Sequence, residues 1–339
     1  MTATREALRQ AAAMRVEVDK TVDQATRDLV QAWSGAWAEV TDEWTLALDE
    51  LTTAGEWPPR TQVFRAKRAQ RALQATSDAL EDLASTSGVR IIQDVPVMSG
   101  LGMVWAEQIV AAQWPKGEAL DWAAVDPKAL SSIVKRITGQ VEKATRRLPH
   151  DQAAVMKQVL VRGIAVGDNP RRAASIMLDR LGGAFDGGRR RAETIARTEM
   201  LDAHRAAALA SRKENAGVLA GWEWQATLDV RTCPACLSMH GRAFPVDAAG
   251  PQGHPNCRCA SLPIVKPWRE LGFDMDDPKS ESLDAEEWFN SQPEKNQVAI
   301  MGPERLRRLR SGDLLWEDLA VRRDNPGWRP SYVVRPLEG

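Results

Sequence analysis

Positive and negative charges nearly cancel in this 339-residue chain, with 45 Lys and Arg against 46 Asp and Glu and a formal net charge of −1. A free-standing nucleic-acid coat is excluded, because non-specific affinity for phosphates comes from an excess of basic side chains. No stretch approaches the roughly 20 apolar residues that cross a bilayer. Residues Met1 to Gln10 lack an apolar segment behind a basic start, so no secretory signal is expected, and the cytoplasm is the expected place of synthesis. There is no Gly-x-x-x-x-Gly-Lys phosphate loop and no Gly-x-Ser-x-Gly elbow, which removes the common nucleotide-hydrolysing motors and serine hydrolases. Cysteine is scarce. All 4 lie between Cys233 and Cys259, and each has a cysteine neighbour. That clustering argues against an isolated thiol nucleophile and against a disulfide scaffold stapling the whole chain.

Phenylalanine and tyrosine are nearly missing, at 5 and 1, while tryptophan reaches 13. Tryptophan suits exposed contact surfaces as well as cores, so two readings stand: a protein built for protein contact, or one that packs its core with Trp instead of Phe. The overall composition, 43% hydrophobic and 27% charged, is that of a folded globular protein.

The first third has helical periodicity. Val18, Val22, Ala25, Leu29, Trp33, Trp37, Val40, Trp44, Leu48 and Leu51 recur every three or four residues, which predicts one long helix to about Ala54. Gly55 and Pro58-Pro59 end it. A second helix is expected from Thr61 to Ala84, stopping at Ser87-Gly88, antiparallel to the first. Its basic run of Arg60, Arg65, Lys67, Arg68 and Arg71 is either a solvated face or a contact to DNA or an acidic partner. Pro96 and Gly100 predict a loop or short strand over 89–100. Further helices are expected over 101–113, 126–147, 151–166 and 171–181. Gly182-Gly183 and Gly187-Gly188 would form a flexible joint before a helix over 189–215.

After Gly217 the pattern alternates, and Trp222 to Leu228 predicts a strand, with Cys259 to Val265 a closing strand. The expected fold is therefore mostly α with a small α+β module. A helical arm or bundle (1–149) precedes a compact core (150–266), and a linker with a short helical tail (267–339) ends in an extended Pro- and Arg-rich stretch.

The core carries the chemistry. Cys233-Pro-Ala-Cys236 forms a knuckle that aims two sulfurs at one point, and Cys257 and Cys259 fall on the same face of an extended strand. Together they supply four soft ligands for a structural zinc ion. His254 is an alternative ligand and His240 a more distant one. Disulfides or reduced core thiols are the competing reading. A zinc ion with four protein ligands has no open position for water, which argues against metal-assisted hydrolysis.

Several words of this region carry a family resemblance: Ile195-Ala196-Arg197-Thr198-Glu199-Met200, Leu228-Asp229 followed by Arg231-Thr232-Cys233, His240-Gly241 with Phe244-Pro245, and Gly253-His254-Pro255-Asn256-Cys257-Arg258-Cys259. In order and spacing they resemble the phage Mu F-like head morphogenesis family over roughly 150–266. The tail words Trp288 to Pro293 and Met301 to Arg305 are similar to the extension such proteins carry, though less sharply, and the first 150 residues match no motif of it. The resemblance implies a minor capsid protein of a tailed phage, bound to the portal inside the head and acting in assembly, DNA packaging or ejection. The major capsid or scaffolding protein and packaged DNA are further candidate partners, with no membrane. The chain would reside in the virion, after assembly in the host cytoplasm, and would not be an enzyme. Arg197, Glu199 and Asp229 are expected to form a charge network between the long helix and the strand.

Two alternatives come from other classes. One is a treble-clef-like DNA-binding protein or metal-dependent nuclease; a nuclease would need catalytic histidines, and the chain has 4 in all, with His240 and His254 alone in the module. A host protein sharing the same module is separated from a phage protein by membership of purified particles.

Overall fold

The structure, a computed structural model, describes residues 3–52, 62, 65–165, 170–279, 281, 284–324 and 329–337. Five longer helices come first: α1 (Arg5–Thr52), α2 (Lys67–Ala111), α3 (Pro127–Thr145), α4 (Leu148–Ala165) and α5 (Pro170–Glu214). A three-stranded antiparallel sheet follows, from β1 (Leu219–Gln225), β2 (Ala243–Phe244) and β3 (Ala260–Val265) in the order β2-β1-β3, with the short helix α6 (Pro234–Met239) between its first two strands. The tail adds α7 (Ala285–Asn290), α8 (Glu294–Met301), α9 (Pro303–Ser311) and an antiparallel ribbon of β4 (Ala320–Arg323) and β5 (Ser331–Val334). The protein is mostly α with a small α+β module.

The chain divides into two compact units, each discontinuous in sequence. One holds Thr21–Asp94 and Ile137–Glu199; the other holds Met1–Lys20, Val95–Arg136 and Met200–Gly339. Consecutive segments such as 1–149, 150–266 and 267–339 cut across both, because helices of 45 residues or more contribute to each unit in turn.

The first unit is held by apolar side chains and tryptophan. In α1 the stripe Val22, Ala25, Leu29, Trp33, Val40, Trp44 and Leu48 is buried. The Trp44 indole donates to Thr76 Oγ1 of α2 at 2.9 Å, the Trp33 indole to Ser87 Oγ at 3.4 Å, and Arg90 to Asp28 at 2.8 Å. These pairs run in opposite senses along the two helices, as expected of an antiparallel hairpin. Trp33 also meets Phe185 of α5 edge-on, with ring centroids 5.2 Å apart. A buried aromatic ring removes on the order of 150–250 Å² from water, about 4–6 kcal/mol at about 25 cal/mol/Å². Tryptophan here is core material.

Two expected breaks do not occur. Helix α2 continues through Ser87-Gly88, Pro96 and Gly100, where a stop and a loop over 89–100 were expected. An internal proline costs about 3 kcal/mol, but Ile91, Val95, Met98, Ile109 and Val110 of the same helix are fully buried. Each such side chain contributes about 1.5–3 kcal/mol, so burial wins. Likewise α5 runs unbroken through both glycine pairs, and no joint separates its halves. A Cβ on Gly188 would stand 2.6 Å from the Trp33 ring and one on Gly182 3.0 Å from Trp37. Those glycines make room for indoles.

In the second unit, Thr4, just before α1, donates to the Ala112 carbonyl beyond α2, and the Trp105 indole donates to Glu17 at 3.0 Å. The sheet sits beside Val110 through a cluster with Leu219 and Val265, and Gln113 donates to the Pro263 carbonyl at 2.8 Å. The tail closes over α6. Leu237 is fully buried with Phe289, Ile300, Met301, Leu306 and Leu319.

Candidate metal centre

Both knuckles are made by local backbone chemistry. Cys233 is the N-cap of α6; its sulfur accepts from the Cys236 N–H at 3.4 Å, and Pro234 occupies the first helical position, where a missing N–H costs nothing. The second knuckle is the turn His254-Pro255-Asn256-Cys257. The Cys257 N–H donates to the His254 carbonyl at 3.1 Å, and Asn256 has φ of 63°. Proline followed by a residue of positive φ is the order of a type II turn, and asparagine tolerates that conformation better than most side chains. Gly253 precedes it because a Cβ there would lie 2.2 Å from the Cys257 sulfur.

These turns bring the donors together. His254 Nε2 lies 3.1 Å from Cys233 Sγ and 3.5 Å from Cys236 Sγ, and Cys236 Sγ lies 3.7 Å from Cys257 Sγ. Two groups of possible ligands result, Cys233 with Cys236 and His254, and Cys236 with Cys257 and Cys259, each within 4.8 Å. Cys236 belongs to both. All four cysteines are free thiols, three of them buried. The space they line with His254 and Arg258 is about 30 Å³, room for a small ion. Sulfur and imidazole donors at this spacing fit zinc. Without metal, Cys236 and His254 pull the Cys233 thiol down to about 5, and Cys233 raises the His254 imidazole to about 9.

Cations surround the sulfurs. Arg205 of α5 donates through Nε to the Cys259 carbonyl at 2.9 Å and through its terminal nitrogen to the Cys257 carbonyl. Arg258 grips Asp229 with two bonds of 2.6 and 2.7 Å. Burial works against the Asp229 charge, yet Arg258 and the Arg231 N–H hold its carboxyl at about 2. Arg258 and Asp229 thus tie the second knuckle to the loop before the first.

The other expected site residues have separate surroundings. Asp229 pairs with Arg258 and Arg231, whereas Arg197 reaches Asp23 at 3.4 Å and Glu199 is buried. His240 accepts the Ala226 N–H at 3.1 Å and so supports the end of β1. Arg65, Lys67, Arg68 and Arg71 are exposed, Arg68 in an ion pair with Glu50; Arg60 lies outside the described residues. Sequence reasoning missed Arg205 and Tyr332. The Tyr332 N–H donates to the Gln252 carbonyl at 2.8 Å, and its ring meets Trp224 edge-on at 5.7 Å. Neither has a local signal, because each acts on residues dozens of positions away.

Residues 154–262 match the family described as Phage Mu protein F like protein. The likeness covers 109 of the 339 residues, about a third of the chain. It begins within α4 and ends within β3, taking in both knuckles, α5, β1 and β2. The tail that buries α6 lies beyond the Mu F-like segment. No curated protein and no solved structure matches the chain. Among the described residues, no helix is long and apolar enough to cross a membrane.

Proposed function

We propose that the protein is a minor head protein of a tailed phage, bound to the portal inside the head, and that it acts in head assembly, DNA packaging or ejection. The observation that carries this reading is the Mu F-like match over 154–262, which covers the motif words and both knuckles. The role is assembly, not catalysis. Zinc held between the knuckles would be a structural staple, fixing α6, the 254–259 turn and the sheet as one docking unit. The nuclease alternative would need catalytic histidines, whereas His254 faces the sulfurs as a candidate ligand and His240 accepts the Ala226 N–H. Portal, capsid or scaffolding protein and packaged DNA are its partners, in the virion and earlier in the host cytoplasm.

The test is particle composition. Phage particles made from a genome carrying the gene should contain the chain in few copies, and the portal should co-purify with it from lysates blocked in assembly. Particles that lack the chain and form normally without its gene would contradict the reading.

A further inference from the structure

The two overlapping donor groups offer five ligands where a closed zinc site takes four. We propose that zinc is bound by Cys233, Cys236, His254 and Cys257, and that Cys259 stays outside as a buried thiol. The inference rests on the reading of a structural metal and settles its ligands.

The imidazole is already oriented as a ligand. His254 Nδ1 lies 2.7 Å from the Pro255 carbonyl, which can only accept, so Nδ1–H donates there and Nε2 faces the sulfurs, where a metal would displace its proton. Zinc-bound histidines are held in this way, with the second nitrogen bonded to a carbonyl or carboxylate. Zn–S bonds of about 2.3 Å and a Zn–N bond of about 2.0 Å set tetrahedral edges of about 3.8 Å between sulfurs and about 3.5 Å from sulfur to nitrogen. Two edges meet these values, 3.7 Å for Cys236–Cys257 and 3.5 Å for Cys236–His254, and Cys233–His254 is shorter at 3.1 Å.

The two knuckles also become equivalent. Each delivers two donors three residues apart, Cys233 with Cys236 from the start of α6 and His254 with Cys257 from the Pro-Asn turn. Cys259 shares a group with Cys236 and Cys257 but stands outside both knuckles, directly before β3 and two residues past Cys257. Three thiolates and one imidazole leave the complex a single net negative charge, and Arg205 stands against the same turn to offset it.

The full chain, purified from zinc-supplemented cells, would be examined by zinc X-ray absorption, with zinc counted by elemental mass spectrometry. The expected first shell is three sulfurs and one nitrogen at about one zinc per chain. Cys259→Ser should keep that stoichiometry, while His254→Ala should weaken zinc retention against a competing chelator at least tenfold. A four-sulfur shell in the unaltered chain would overturn the assignment and leave the metal reading standing. So would zinc lost in Cys259→Ser but kept in His254→Ala. An unaltered chain without zinc would overturn both. The absorption measurement needs no variant, so a substitution that fails to fold does not block the test.

Discussion

The two compact units solve the same problem with different materials. Among the described residues, the unit of Thr21–Asp94 and Ile137–Glu199 has helices and no strand, and its core fits large side chains against absent ones, as where Trp33 lies against Gly188. In the other unit the strands are short, with six, seven and two residues in the sheet, and α6 has six. Elements so small bury little surface on their own. They are held instead by the Arg258–Asp229 pair, the Arg205 bonds to two carbonyls, a tail folded over Leu237 and, in our proposal, a metal between the knuckles. Repeated weak packing suffices for long helices. A short irregular segment needs a few strong, directional ties.

That contrast can be broken most severely at the metal. Cys236→Ser removes the donor shared by both groups, and the loss of a structural zinc site is expected to cost several kcal/mol. Hydrogen exchange should lose protection over 219–265 and 285–334 while residues 21–52 stay protected. Uniform loss across both regions would show that the ties hold the whole chain. The next largest effect is expected at Leu237→Ala, which empties the contact between α6 and the tail and should destabilise by about 2–5 kcal/mol in chemical denaturation. A cost under about 1 kcal/mol would mean that the tail adds little.

The helical unit makes a paired prediction. Gly188→Ala places a methyl 2.6 Å from Trp33 and should cost about 1–3 kcal/mol. Gly183→Ala meets nothing within 4 Å and should stabilise by about 0.5–1 kcal/mol through better helix propensity. Opposite signs in thermal melts support continuous packing through the glycines; equal gains would restore a flexible joint. The smallest effect is electrostatic. Burial, with a lesser contribution from Arg205, lowers the His204 imidazole from 6.5 to about 4. The unfolded chain therefore binds a proton that the folded one refuses, and stability should fall as pH drops from about 6.5 toward 4. His204→Gln should flatten that slope in denaturation curves taken across the window.

The same contrast explains what could be read from residues alone. The stripe from Val18 to Leu51 predicted α1 because helix burial leaves a three-and-four periodicity, and structure and stripe agree. Strands β1 and β3, the cysteine cluster and the extent of the Mu F-like segment were legible from alternation and from fixed words of sequence, while β2 and the β4–β5 ribbon are too short to leave such a pattern. Pro96 and the glycine pairs misled because a breaker is a local cost, and whether it breaks depends on what lies opposite. For Gly188 that is an indole about 155 positions earlier in the chain. Arg205 and Tyr332 were invisible for the same reason. Arg205 and the Tyr332 N–H bond to backbone carbonyls, which leave no trace in residue type, and the Tyr332 ring meets Trp224 from far along the chain.

The central claim is that the short elements are held by a metal, and the most direct measurement is zinc per chain together with free thiols after denaturation, on protein purified without added metal. The account predicts about one zinc, four thiols recovered on denaturation, and a marked drop in the thermal midpoint after chelation. A chain with no zinc, with its thiols oxidised or simply free and its midpoint unmoved by chelator, would contradict it.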